Sequence, residues 1–358
     1  MSHLEKRLEN DLNDIRMQVA EQAQLAEDSV RNAMHSLQTG NKKQAYNTVL
    51  NDLPINRKMR AIDRLCHRFI ALHLPSAGHL RLLSSVIRVN IELERVGDYA
   101  VTIAREGIQF SAPLQGELAD ELERVSSETQ LLLHQAIQSF NELNAEMAKS
   151  TITLTAKMEN SLSSFYNRLL STDINMDLKD LFALFIVFNQ LKRVADQAKN
   201  LCEETIFAVT GHQKTPKIYK VLFVDEENGL LSQLAEAIAH INHADSGEFS
   251  SAGRVPAKSL DPRLSNFLEQ HNADLDEATF TAISDITPGE LAEQHVIVTL
   301  QGSSDTYFDT IPFHTSVLEW DVTPAGEVDS EQKMDALYRE LAIQIKDLML
   351  LLRGEEQA

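Results

Sequence analysis

The segment from Leu80 to Arg105, LRLLSSVIRVNIELERVGDYAVTIAR, sets a condition that any fold of this chain has to meet. Its apolar residues Leu83, Val86, Val101 and Ala104 recur at the three- and four-residue spacing of one face of a long α-helix. Asn90, Glu94 and Asp98 fall on the same stripe. Residues four apart stand one above the other on a helix, so Glu94 and Asp98 are expected to project side by side toward whatever that face packs against. Unpaired buried charge is costly and like charges disfavour one another, so the pair has to be relieved by a cation, by protonation or by water. A divalent metal ion (Mg, Mn, Zn or Fe) is one solution. A solvated acidic edge on a surface helix is the other.

At 358 residues the chain is long enough for two or three domains. No run approaches the roughly 18 apolar residues of a membrane span, the longest being Leu181 to Phe188. The opening MSHLEKRLEND is charged and lacks the apolar stretch of a secretory leader, which makes the cytoplasm the expected compartment. Cys66 and Cys202 fall on helical stretches, form no metal or redox motif, and are expected in the core. A formal net charge of −20 argues against a nucleic-acid surface, which needs basic patches, and suits metal or protein partners.

Along residues 4–38, Leu8, Leu12, Ile15, Val19, Ala23, Ala26, Val30, Ala33 and Leu37 mark a long amphipathic helix ending near Gly40. Asn41 to Leu50 reads as a shorter helix and Pro54 as an interruption. Ile55, Met59, Ile62, Cys66 and Phe69 then form a stripe that stops at Pro75. His67, His73 and His79 flank that turn and are expected at the surface, since no Glu-x-x-His pair accompanies them. Ser111 to Gly116 is a linker by its turn residues. The pattern then restarts with Leu118, Leu122, Val125, Leu132, Ala136, Phe140, Leu143 and Met147, continues through Phe165 and Leu169, and closes with Leu178 to Val209. LERVGDYAVTIA (93–104) and LKRVADQAKNLC (191–202) share Leu, Arg, Val, Asp and Ala without a gap, an internal repeat. In the second copy Lys192 replaces the glutamate, Ala195 replaces the glycine, and Asp196 alone survives of the acidic pair.

After Gly211 the pattern changes. IYKVLFV (218–224), 248–251, 296–300 and 316–322 read as strands, with helices at 230–241, 261–270 and 330–352. The fold class is multidomain α plus α/β: two tandem three-helix bundles followed by a doubly wound parallel sheet.

Pro75, Ala77, Leu80, Arg81, Leu93, Glu94, Arg95, Gly97 and Asp98, with Val96 in place of isoleucine, match the signature Pro-x-Ala-x-x-Leu-Arg…Leu-Glu-Arg-Ile-Gly-Asp, so the chain resembles the PhoU family of phosphate-signalling regulators. The resemblance implies two three-helix repeats, here 1–110 and 116–211, and metal-binding positions at Glu94, Asp98 and Asp196. Asn56 stands where the family usually has aspartate, and Asp196 has lost its glutamate partner, which leaves less negative charge for a hard cation and makes a structural role for Asp196 the better reading. It further implies negative regulation of phosphate uptake and starvation signalling through a phosphate ABC transporter ATPase and a sensor histidine kinase. The membrane is then reached only through those partners, and a homodimer is expected.

VLFVDEENGLLSQLAEAI, SSAG (250–253) and LDPRLSNFLEQH (260–271) are similar to low-molecular-weight tyrosine phosphatases and thiol arsenate reductases. In that pattern Asp225 stands in the cysteine position and Leu231 in the arginine position, with Ser232 retained. Gln301 and Phe308 fall near the reductases' redox cysteines, and Thr323-Pro324 near the acidic Asp-Pro. Domain 218–354 is therefore expected to resemble the fold and lack its reaction, since a thiolate nucleophile and an oxyanion-clamping arginine are both missing. The alternative is an oxyanion hydrolase or reductase with Asp225 as an acyl-phosphate nucleophile. Loop amides around Asn228, Gly229 and Ser232 favour an anion, whereas Asp225, Glu226 and Glu227 repel one. The expected balance is a docking or dimerisation module.

Overall fold

The computed structural model describes residues 3–155, 158, 176–212, 217–265, 279–312, 314–322 and 331–354, which divide into two compact units, Met1–Lys214 and Thr215–Ala358. In the first, α1 (His3–Thr39), α2 (Lys42–Leu50), α3 (Asp52–His73) and α4 (Ala77–Gln109) are followed by α5 (Glu117–Asn141), α6, described over 145–155, and α7 (Leu178–Thr210). The stripe read along α1 is buried from Leu12 to Leu37. Alanines at 23, 26 and 33 let other helices approach closely, and on α4 a Cβ at Gly107 would stand 3.1 Å from a Leu37 methyl. Helix α4 packs against α1, α2, α3 and α7, while α5 packs against α1 and α7. One hydrophobic core therefore runs through both repeats, from Phe69 and Leu93 through Leu132 and Leu133 to Leu184, Val187 and Leu191. The expected stretch through Phe165 and Leu169 lies outside the described residues.

Pro54 does not interrupt a helix. The break falls at Asn51, and Pro54 sits in the first turn of α3, where its missing N–H has no intrahelical bond to lose. Asp52 thereby becomes the first residue of α3 instead of a loop residue. Helix α3 ends at Leu74, whose left-handed φ of 44° turns the chain into Pro75.

The second unit contains β1 (Tyr219–Asp225), α8 (Leu231–His243), β2 (Gly247–Gly253), α9 (Pro288–Glu293), β3 (Val296–Thr299), β4 (Ser316–Glu319) and α10 (Glu331–Arg353). Among the described residues its sheet has four strands in the order β2-β1-β3-β4, all paired in parallel. Successive residues of β1 serve opposite faces. Val221 and Phe223 pack with Leu234, Ile238, Leu341 and Ile345 of α8 and α10, and Leu222 and Val224 with Ile297 and Phe308. Coverage on both faces is why β1 reads as a nearly continuous apolar run. The chain passes from β1 to β2 on one side and returns to β3 on the other, a topological switch at the carboxyl ends of β1 and β3. The helix expected over 261–270 is described only at 262–265, and Thr323-Pro324 lies outside the described residues.

Gly253, the last residue of β2, makes this corner possible. A Cβ there would stand 2.6 Å from the Asn228 amide nitrogen and 2.8 Å from the Asn228 Cβ, closer than side chains tolerate. Gly253→Ala is expected to destabilise the second unit by about 1–3 kcal/mol through overpacking. Chemical denaturation followed by the fluorescence of Trp320, the chain's single tryptophan, reads that unit. An unchanged midpoint would contradict the crowding.

Candidate functional site

Glu94 and Asp98 do not face the core. Asp98 is exposed and Glu94 half-buried, while Leu93, Val96, Gly97 and Ala100 line the interior. At 3.6 residues per turn each four-residue step overshoots a full turn by about 40°, so the row Asn90, Glu94, Asp98 spirals off the core. Asn90, 1% exposed, is its last buried member. The row emerges against α3, which contributes a third carboxylate missed in the sequence. Asp52 Oδ2 accepts a hydrogen bond from Asn56 Nδ2 at 2.6 Å. Its Oδ1 is buried without a partner, 3.2 Å from where a Cβ on Gly97 would stand. The signal was available: Asp52 lies one helical turn before Asn56, but reading Pro54 as a break left it outside the helix.

Burial, and after it the Asp98 charge, raises the Asp52 carboxyl above its ordinary value, against the Asn56 hydrogen bond and Arg105. Burial also raises Glu94, with Asp98 and Asp52 adding to it and Arg95 and Arg60 opposing. The donor set is all oxygen, the chemistry that a hard divalent cation takes, and one Asp52 oxygen is buried without a hydrogen-bond partner. Among the described residues no three His, Cys, Asp or Glu side chains converge to hold a metal ion. The chemistry of the edge fits a cation, and its geometry fits one only after Asp52, Glu94 and Asp98 turn toward a common point.

Among the described residues the second repeat has no equivalent edge. Asp196 is exposed on α7, with Lys192 one turn before it and Ala195 buried at the position of Gly97. The histidines are separately engaged: His67 Nδ1 lies 2.9 Å from the Asp63 carbonyl oxygen, His73 Nε2 2.8 Å from Asp11 Oδ2, and His79 Nδ1 3.2 Å from Ser76 Oγ.

In the second unit Asp225 closes β1 at the topological switch and is 3% exposed. Its Oδ2 accepts the Ser232 amide at 2.8 Å and its Oδ1 accepts the Asn228 amide. Burial raises its carboxyl, opposed by those two amides, the Ser232 hydroxyl and the Glu227 amide. Asn228, fully buried at φ 48°, donates through Nδ2 to Ser232 Oγ (2.9 Å) and Ser251 Oγ (2.8 Å), while its Oδ1 accepts from Gln233 Nε2 (3.3 Å) and the Thr281 amide (3.1 Å). Leu231 turns into the apolar core with Leu234. Glu226 is paired with Arg254, whose Nε lies 3.0 Å from both carboxylate oxygens, and its amide donates to Gln301 Oε1 at 3.3 Å. Phe308 fills the opposite face of the sheet.

Residues 19–107 and 122–205 match the PhoU domain family. The helical unit carries two PhoU domains. The phosphate-specific transport system accessory protein PhoU homolog of Pseudomonas aeruginosa is 28% identical over 218 residues, covering 58% of this chain and 88% of that protein. The accessory protein PhoU of Escherichia coli is 26% identical over 212 residues, with 58% and 88% covered. The crystal structure of PhoU from P. aeruginosa superposes with a TM-score of 0.54 at 26% identity, covering 57% of this chain and 99% of that one. Over the second unit, an arsenate reductase from Archaeoglobus fulgidus covers 36% of this chain and 98% of its own at 24% identity, with a TM-score of 0.30. The second unit is α/β by its strand order and by the apolar cover on both faces of its sheet.

The acidic edge of the first PhoU domain has a pH signature. Asp52 and Glu94 are raised in the folded protein, so their stabilising contribution is complete below the unfolded carboxylate values near about 4 and is lost as pH rises through the folded values. Asp98→Asn removes a charge that raises both. In metal-free protein at pH 7 it is expected to raise the thermal midpoint by about 1–2 °C, a gain that shrinks on acidification. A midpoint that is unchanged or lowered at pH 7 would show that the carboxylates do not oppose one another.

Proposed function

We propose that this protein is a negative regulator of phosphate uptake and phosphate-starvation signalling that acts by protein contact and not by catalysis. The observation that carries the reading is the pair of PhoU domains across the helical unit, together with relatives, aligned over 88% of their own length, that are named as accessory proteins of the phosphate-specific transport system. The partners in this reading are the ATPase of a phosphate ABC transporter and a sensor histidine kinase. No helix among the described residues is long and apolar enough to cross a membrane, and in this reading the membrane is reached through those partners. The helical unit would work as a two-state element whose populations are shifted by metal or phosphate status. No observation favours the hydrolase alternative, because a nucleophile must reach its substrate and both Asp225 oxygens are buried and hydrogen-bonded within the loop. Deleting the gene is expected to raise phosphate uptake and starvation-gene expression in phosphate-rich medium, with both restored by the wild-type copy. Unaltered uptake and expression would overturn the reading.

The residues that would hold a divalent ion are Asp52, Glu94 and Asp98, and the ion would bridge their charges and hold α3 against α4. Metal analysis of full-length protein purified without chelator is expected to show bound metal that falls in Glu94→Ala/Asp98→Ala and in Asp52→Ala and persists in Asp196→Ala. Equal loss in Asp196→Ala would move the site away from this edge.

A further inference from the structure

We propose that the Asp225 carboxylate is the built-in occupant of an anion seat, so that the turn between β1 and α8 is latched in a filled state and the second unit is closed to small oxyanions. The seat is defined by position and by donors. It lies at the carboxyl end of β1, at the topological switch of the sheet, where doubly wound folds bind their ligands. Its donors, the amides of Asn228 and Ser232, belong to the turn and first residues of the 13-residue helix α8, whose N-terminal end favours negative charge. In an open site such donors point into a cleft. Here both are aimed at the two oxygens of one carboxylate from the same turn, itself 3% exposed.

A carboxylate and a tetrahedral oxyanion such as inorganic phosphate present the same chemistry to these groups, negative oxygen accepting N–H at short range. The tethered one wins. Its effective concentration exceeds that of a free ion, and its charge repels a second anion from the same donors. The turn does not depend on the carboxylate alone. Asn228 is held by four further hydrogen bonds to Ser232, Ser251, Gln233 and Thr281, and Gly253 backs it at a distance only glycine allows. Removing the carboxylate should therefore leave the donors in place and unsatisfied instead of collapsing the turn. This inference is independent of the role of the helical unit.

The test is calorimetric titration of inorganic phosphate into the full chain. Wild type is expected to show no saturable binding. Asp225→Ala, shown to be folded by circular dichroism and Trp320 fluorescence, is expected to bind one phosphate per chain, and Asp225→Ala/Ser232→Ala to bind it at least about tenfold more weakly for want of the Ser232 hydroxyl, which hydrogen-bonds the Asp225 carboxylate alongside the two amides. A folded Asp225→Ala that does not bind phosphate overturns the proposal, as does saturable binding by wild type that Ser232→Ala weakens. Amide hydrogen exchange at Asn228 and Ser232 in wild type decides the case in which Asp225→Ala does not fold. Protected amides whose rates phosphate leaves unchanged support the latch, and rates that phosphate slows overturn it.

Discussion

The seam between α4 and α7 is the contact on which the helical unit depends. Each PhoU domain contributes its last long helix, and the two bury Leu93, Val96 and Ala100 together with Leu191, Val194 and Ala198 in one core. Polar contacts bracket the seam without driving it. Arg88 donates to Glu204 at 2.9 Å and lies 5.7 Å from the centre of the Phe207 ring, and Arg193 lies 5.8 Å from that of Tyr99. Ion pairs and cation–π contacts at such exposure are each worth about 1 kcal/mol or less, so they set register while apolar burial supplies the stability. The linker is held too, through the Ser111 amide and hydroxyl donating to buried Asp180 at 3.2–3.3 Å. The two domains are fused through shared packing and not merely strung on a chain.

Close approach of helices also explains why the two domains differ at their acidic positions. Gly97 lets the start of α3 come down on α4, with Ile55 and Asp52 filling the space a Cβ would take. That approach brings Asp52 to Glu94 and Asp98 and leaves one of its oxygens unpaired. In the second domain a buried Ala195 occupies the matching place and Lys192 replaces the glutamate. One helix pattern thus yields a carboxylate edge of mutually opposed charges in one domain and none among the described residues of the other.

Asp52 and Asp225 are both raised by burial, yet they are opposites in behaviour. Both oxygens of Asp225 are satisfied by amides, which compensates its removal from water and makes it a fixed element of the turn. Asp52 has one satisfied oxygen and one orphan beside two like charges, so it is the group that an added cation would relieve most.

Much was legible in the sequence because its periods are local. The stripes of α1, α3 and α5, the repeat of 93–104 at 191–202, and the apolar run of β1 followed from spacing alone, since a helix or a doubly covered strand has to bury the face it presents. The resemblance of the Glu94–Asp98 stretch marked the first domain, and Asp225 and Leu231 marked the altered loop. What spacing could not decide is what depends on the distance between elements. Whether Asp98 is inside or outside turns on a drift of about 40° per step, too small to read from a pattern of threes and fours. Asp52 joins Glu94 and Asp98 only because Gly97 admits α3, and Asp225 meets the amides of Asn228 and Ser232 only because Gly253 and Asn228 fold the turn back on itself. The sequence by itself determined the elements and their apolar faces, because those are set by residues a turn or two apart. Tertiary structure alone decided which carboxylates share a charge problem and which is already answered, because electrostatic and hydrogen-bond energies depend on separations that only packing sets.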